Sequence, residues 1–418
     1  MNKKIGRIFK GDKVIWMVFF FLCMISIVEV FSASSGLTYK SQNYIGPIAY
    51  HTFTIAFGAL ITILTLNVPC RYFKLMTPFL ILITGLMLLI VALGGGESTN
   101  DASRWIRIGP ITIQPSEIAK GTIVLVVAQI LSAMQNEKGA DRNAFKWIMW
   151  ITIPACVLIG LENLSTAALL FAVVFLMMFI GLVPMRQLGR LAAIIIVLGV
   201  FAVSMIMIVG HDKSQEEQEV AKVEQVDQPK KKKSKIEKLL HRADTWKARI
   251  LNFGKDDVSP QEYDLDKDAQ VAHANIAIVS SGVIGKGPGK STERDFLSQA
   301  FSDFIFAIVI EELGIMGAAA VVFLYIILLY RCARIASRCE NNFPAFLAMG
   351  LGLLLVIQAT FNMMVAVGLA PVTGQPLPLI SKGGTSTIIN CAYIGAILSV
   401  SRSAKMKKEE NINSKMRL

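Results

Sequence analysis

The chain has 418 residues, 54% hydrophobic and only 17% charged, whereas soluble domains carry roughly a quarter, so an ordinary soluble fold is excluded in favour of a multi-pass membrane protein. Its formal net charge of +12 does not build a nucleic-acid surface, because the lysines and arginines sit in short clusters between apolar runs. The six cysteines show no CxxC or Cys/His spacing, which leaves neither a zinc site nor a disulfide framework.

The first apolar run, 14–34, follows Lys3, Lys4, Arg7, Lys10 and Lys13 and lacks a small-residue cleavage site, so it reads as a retained first span. Runs 47–67, 75–93, 118–134, 191–209, 304–330, 343–369 and 387–400 are also long enough to cross about 30 Å of hydrocarbon. Stretch 147–182 would make one helix of roughly 54 Å, which is too long. Its interruption at Glu162 and Asn163 ("LENLS"), with basic residues on both flanks, predicts two helices joined by a turn. The fold class is therefore all-α and polytopic, with ten transmembrane helices. Ten spans put every basic cluster on one side, so the N and C termini are cytoplasmic, 403–418 is a basic cytoplasmic tail, and a large extracytoplasmic loop joins spans 7 and 8.

Three segments then face outward: 94–117, 210–302 and 370–386. Within the second, 211–240 is charged, poor in aromatics and expected to be disordered. Its Lys230–Lys233 run is either a solvated face or a contact for anionic membrane lipids. Further on, "GKGPGKS" (285–291) looks like a phosphate-binding loop. A Walker motif needs four residues between its first glycine and the terminal Gly-Lys-Ser, and the position that count reaches holds Ile284. Pro288 removes an amide, no buried parallel strand precedes the loop, and the outer side holds no ATP. A nucleotide is excluded. A tight turn with positive φ at Gly285, Gly287 or Gly289 remains, as does an approach of Lys286 and Lys290 to a lipid pyrophosphate.

Ionisable groups at or inside a membrane are functional candidates. Those on the outer half are Glu29, Arg104, Arg107, Glu117, Lys120, Asp303, Glu311, Glu312 and Lys382. Pro115 suits a helix start with Gln114 as a cap. Glu117 and Lys120, three apart, form either an ion pair at the membrane edge or, through Lys120 with Arg104, a seat for an anionic headgroup or pyrophosphate. Asp303 opens the run "SDFIFAIVIEELG" at the outer surface, where it is a helix N-cap, in competition with Ser302, or a general base. Glu311 and Glu312, two turns deeper, are expected to pair with a basic group of a neighbouring helix.

Taken together, "ASRWIRIGPITIQPSEIAK", "IAIVSSGVIGKGPGKS", "AFSDFIFAIVIEELG" and "GQPLPLISKGGTS" resemble the SEDS family of cell-shape, division and sporulation proteins, over nearly the whole chain. Length and motif wording favour its division branch over its elongation branch. The resemblance implies a single integral-membrane domain (1–418) acting as a peptidoglycan glycosyltransferase in the bacterial cytoplasmic (inner) membrane, at the division septum. Such an enzyme polymerises lipid II and releases undecaprenyl pyrophosphate. The implied catalytic residue is Asp303, in the place of the family's Thr-Asp-Phe aspartate. The implied substrate-binding residues are Arg104, Glu117, Lys120, Ser381, Lys382 and Gly383. Gly384 completes the Ser-x-Gly-Gly turn. A divalent cation is a possible cofactor, and the implied partners are a class B penicillin-binding protein and other division proteins. Departures are Ser298 and Phe301 for a common Pro and His, Lys382 for Tyr, Ser281 for Gly, "LENLSTA" for Gln-Pro-Asp-x-Gly-Thr, and His273 for Gln. The alternative is a lipid II flippase, which Gln358 and Asn362 inside the ninth span would suit.

Overall fold

The computed structural model describes residues 10–41, 46–99, 102–108, 111–137, 139–209, 269–297 and 300–415. Two compact units divide it: Met1–Met185 with Leu265–Leu418, and Arg186–Asp264. Segment 211–240 lies outside the described residues. In chain order, the helices are α1 (Lys13–Ser41), α2 (Gly46–Asn67), α3 (Cys70–Ala92), α4 (Pro115–Ala133), α5 (Arg142–Glu162), α6 (Leu164–Ile180), α7 (Met185–Val209), α8 (Ala269–Ser281), α9 (Ile305–Ala336), α10 (Asn342–Ala366) and α11 (Thr385–Lys415). The described part of the second unit, 186–209, belongs to helix α7.

Among the described residues, seven helices are long and apolar enough to cross a membrane: α1, α2, α3, α4, α5, α9 and α10. Helix α6 is apolar but shorter, at 17 residues. The expected break is present. Asn163 ends α5 and begins α6 in extended conformation, and its side chain accepts from the Thr166 amide at 3.2 Å. Large apolar side chains such as Leu75, Phe79, Leu82 and Leu86 of α3 stay exposed, as suits a lipid-facing helix. Helix α10 is central, packing on α4, α6, α9 and α11, while α11 also lies along α2 and α1 along α9.

Two findings depart from the all-α expectation. Strands β1 (Glu97–Thr99), β2 (Ala102–Ile108) and β3 (Ile111–Ile113) form a small antiparallel sheet in the order β1-β2-β3. Alternation in "RWIRI" and "ITI" around a Gly-Pro pair provides the strand period, and Ile106 faces Ile113 across the ladder. A second, minimal ladder pairs β4 (Gln135–Asn136) with β5 (Gly139–Ala140).

Several basic clusters meet at one end of the first unit. The Asp12 carboxylate accepts from the Val14 and Ile15 amides at 2.9 and 3.2 Å, capping α1, and pairs with Arg331 near the end of α9. At the end of α2, the Asn67 amide oxygen accepts from Lys10 and from Arg402, each at 3.5 Å.

Candidate active site

The segment 300–304, which carries Asp303, is mounted from two sides. From the loop before α11, the Ser381 hydroxyl donates to the Ser302 carbonyl at 2.6 Å and accepts from the Leu377 amide at 2.7 Å. The Lys382 amide donates to the Phe301 carbonyl at 2.9 Å. From α10, the Asn362 side chain donates to the carbonyls of Asp303 and Gln375, both at 2.8 Å. One turn earlier Gln358 donates to the Pro376 carbonyl at 3.1 Å. Gln375 in turn donates to the Thr166 hydroxyl on α6 at 2.6 Å. Asp303 is half-buried and accepts from the Ser302 hydroxyl at 3.0 Å. The N-cap position of α9 falls on Phe304, so Asp303 does not fill that role.

Lys382 is half-buried, with its ammonium 5.0 Å from the centroid of the Phe301 ring, a cation–π contact two residues from Asp303. Burial lowers its pKa from the usual lysine value. Gly383 is half-buried beside Ser386 and Thr387, and its carbonyl accepts from the Ser386 amide at 3.0 Å. The Thr385 hydroxyl, donating to the Thr112 carbonyl at 3.0 Å, ties this loop to β3. Arg104 lies in the neighbouring strand β2, and its side chain is outside the described residues.

Three expected site residues are buried. Glu117 and Lys120 form the ion pair their spacing allowed, at 2.7 Å, with side chains 2% and 0% exposed. Lys120 also donates to Gln358 at 2.6 Å, and the Tyr393 hydroxyl donates to the Glu117 carbonyl at 2.6 Å. Pro115 at the first position of α4 starts the helix that carries them, while Gln114 holds the N-cap position without a side-chain bond. Ser381 is likewise buried, its hydroxyl engaged by backbone. For Glu117 and Lys120 the cause is that α4 packs against α10 and α11, so its polar first turns are covered by protein.

The glycine loop is a turn, and Gly285, Gly287 and Gly289 all have positive φ. The basic partner expected from a neighbouring helix comes from this turn: Lys286 donates to Glu311 at 2.6 Å, while Glu312 accepts from the Gly289 amide at 2.9 Å. Sequence reasoning missed this pairing because it joins two segments far apart in the chain. The glycine of "EELG" opposite a glycine-rich turn was the available signal. Among the described residues no three His, Cys, Asp or Glu side chains gather as a metal set.

Fold and site together define a multi-pass helical membrane protein whose catalytic candidates sit on loops braced by buried polar residues of the bundle. The model of the FtsW/RodA/SpoVE family of cell cycle proteins matches residues 12–406, and the chain belongs to this family, the SEDS family expected from its motifs. It is 28% identical over 399 residues to the probable peptidoglycan glycosyltransferase FtsW of Aromatoleum aromaticum, covering 93% of this chain and 87% of that protein. It is 26% identical over 397 residues to the peptidoglycan glycosyltransferase MrdB of Escherichia coli K12, covering 94% of each. Its fold matches the rod shape determining protein RodA of Thermus thermophilus at TM-score 0.61 and 21% identity, over 94% of this chain and 97% of that one. A chain of a peptidoglycan synthase complex, described for its structural coordination of polymerization and crosslinking, matches at TM-score 0.66 and 22% identity, over 94% and 98%.

Proposed function

We propose that this protein, a peptidoglycan glycosyltransferase of the inner membrane, polymerises lipid II into β-1,4 glycan strands and releases undecaprenyl pyrophosphate, with Asp303 as the general base. The observation that carries the reading is the mounting of Asp303: a half-buried carboxylate on a segment held through backbone bonds from Ser381, Lys382 and Asn362, with the Lys382 ammonium over the ring of Phe301 two residues before it. A base needs that kind of preorganisation, since proton transfer contributes roughly 10²–10⁴ in rate only when the geometry is held.

In the reaction, the Asp303 carboxylate takes the proton of the 4-hydroxyl of the acceptor N-acetylglucosamine. The freed oxygen pair forms a bond to C1 of the donor muramoyl sugar with inversion, while the bond from C1 to the pyrophosphate oxygen breaks. The leaving group departs as a polyprenyl pyrophosphate, so no protein nucleophile is required. Lys382 and Arg104 supply positive charge for that pyrophosphate. Glu117, Lys120 and Ser381 are assigned to the frame: Lys120 reaches the loop through Gln358 and the Pro376 carbonyl, and Ser381 holds the Ser302 carbonyl.

The topology proposed with this function has one integral-membrane domain of ten spans, α1–α7 and α9–α11, with both termini cytoplasmic and the loop between α7 and α9 outside. The meeting of Lys10, Asp12, Asn67, Arg331 and Arg402 at one end of the bundle supports that sidedness. The place of action is proposed as the division septum, on the wording of the motifs; relatives of both the division and elongation branches match at similar identity. The proposed partner is a class B penicillin-binding protein, supported by the similarity to a chain of a synthase complex. The test is incubation of purified protein with lipid II, alone and with its cognate transpeptidase. Glycan ladders on a gel are the expected product. Transfer of intact lipid II between leaflets of a vesicle without any polymer would favour the flippase alternative.

A further inference from the structure

Helix α9 is broken at Gly314, which has φ 72 and ψ −175. In an unbroken helix the amides of Ile315 and Met316 would bond the carbonyls of Glu311 and Glu312. Here those amides donate instead to the Gly282 and Val283 carbonyls, both at 3.3 Å. The abandoned carbonyls accept from the Lys286 and Gly287 amides at 2.9 and 2.8 Å. The glycine turn therefore enters the broken turn of the helix and satisfies the four backbone groups that the break sets free. The approach needs glycine on both sides. A Cβ on Gly285 would lie 2.3 Å from the Glu312 carbonyl oxygen, and one on Gly314 would lie 2.3 Å from that of Val283.

The side chains close the same junction. Glu312 accepts from the Gly289 and Ser291 amides at 2.9 and 3.2 Å and from the Ser32 hydroxyl of α1. Glu311 accepts from Lys286, from the Thr292 amide at 3.0 Å and hydroxyl at 2.9 Å, and from the Ser291 hydroxyl. Arg294 donates to the Gly289 carbonyl at 2.8 Å and to Ser32 at 3.1 Å, which ties the turn to α1. Between this junction and Asp303 runs the first part of α9, whose residues from Ile305 to Ile310 are at most 5% exposed. It is a short, rigid rod held at one end by the loop before α11 and at the other by the glycine turn.

We propose that the glycine turn and the Glu311–Glu312 pair form a clamp that sets the position of Asp303, with Glu312 as a positioning residue for the transferase reaction. The anion in this near-miss phosphate loop is thus the protein's own carboxylate. The inference rests on Asp303 being the base. A displacement of about 1 Å at a reacting group can cost roughly 100-fold in rate, so loosening the rod's far end is expected to act on kcat.

The test uses full-length purified Glu312→Ala, Glu312→Gln and Gly285→Ala proteins. The readouts are kcat and KM on lipid II, and hydrogen exchange of the peptide covering 304–313. Glu312→Ala and Gly285→Ala are expected to lower kcat about 10–100-fold with KM nearly unchanged and to raise exchange. Glu312→Gln, which keeps an acceptor for the turn amides, recovers much of the rate. In an Asp303→Asn background Glu312→Ala slows the reaction no further, while exchange still rises. Unchanged exchange in Glu312→Ala overturns the clamp. Raised exchange with normal kcat, or a rise in KM alone, overturns its positioning role. Failure of the Asp303 reading itself is told apart by Asp303→Asn retaining the wild-type rate while Glu312→Ala remains slow and loosened.

Discussion

Replacing Lys120 by methionine isolates one buried charge. The Lys120 ammonium is 2.7 Å from Glu117 and 2.6 Å from Gln358, and both members of the ion pair are nearly inaccessible. One Glu117 carboxylate oxygen already lacks a hydrogen-bond partner among the described residues, so Lys120→Met leaves an uncompensated buried carboxylate. Breaking such a pair from one side costs about 3–5 kcal/mol, whereas replacing both partners by apolar groups of similar volume is often near neutral. The single variant should therefore melt well below the wild type in a detergent thermal-shift assay, and Glu117→Leu/Lys120→Met should recover most of the loss. Polymerisation of lipid II by the double variant then reports on function. Recovery of rate along with stability agrees with a framing role, while recovered stability with lost activity would assign the pair to the substrate. A Lys120→Met protein as stable as the wild type would refute the burial argument itself.

Two further predictions address charges outside that pair. Lys382 has a lowered pKa, so its positive charge is present at low pH and is lost, as pH rises, earlier than for an ordinary lysine. Activity should fall on the alkaline side, and Lys382→Arg, which stays charged, should remove that limb; an unchanged pH–rate profile counts against a charge role for Lys382. Glu29 is fully buried in α1, and neither carboxylate oxygen has a hydrogen-bond partner among the described residues. Glu29→Leu is therefore expected to raise the melting temperature, and a fall would show that the carboxyl has a partner that stabilises the fold.

Much of the helical layout was legible because the membrane demands it. Uninterrupted apolar runs mark the long helices, and a single polar pair, Glu162–Asn163, was enough to divide 147–182. The asparagine that interrupts the hydropathy is also the residue that caps α6. Strands β1–β3 were overlooked because they are short, and their brief alternation is slight beside the long apolar runs of the spans. Asp303 was legible as an outer charge, yet its mounting was not, since Asn362 and Ser381 hold its segment through backbone carbonyls, which carry no residue identity. The same limit hid the inward turn of Lys120. Charge is visible in a sequence, whereas burial depends on which helix covers it. The glycine run shows the opposite case: its failure as a Walker motif was readable, but its actual anion, Glu312, became apparent only when α9 was seen to break at Gly314.

The most direct measurement is the rate at which purified Asp303→Asn protein, shown by thermal shift to be folded, polymerises lipid II in the presence of its transpeptidase partner. Loss of a general base predicts a fall of roughly 10²–10⁴ with substrate binding retained. Glycan strands formed at the wild-type rate would contradict the assignment of Asp303 as the base.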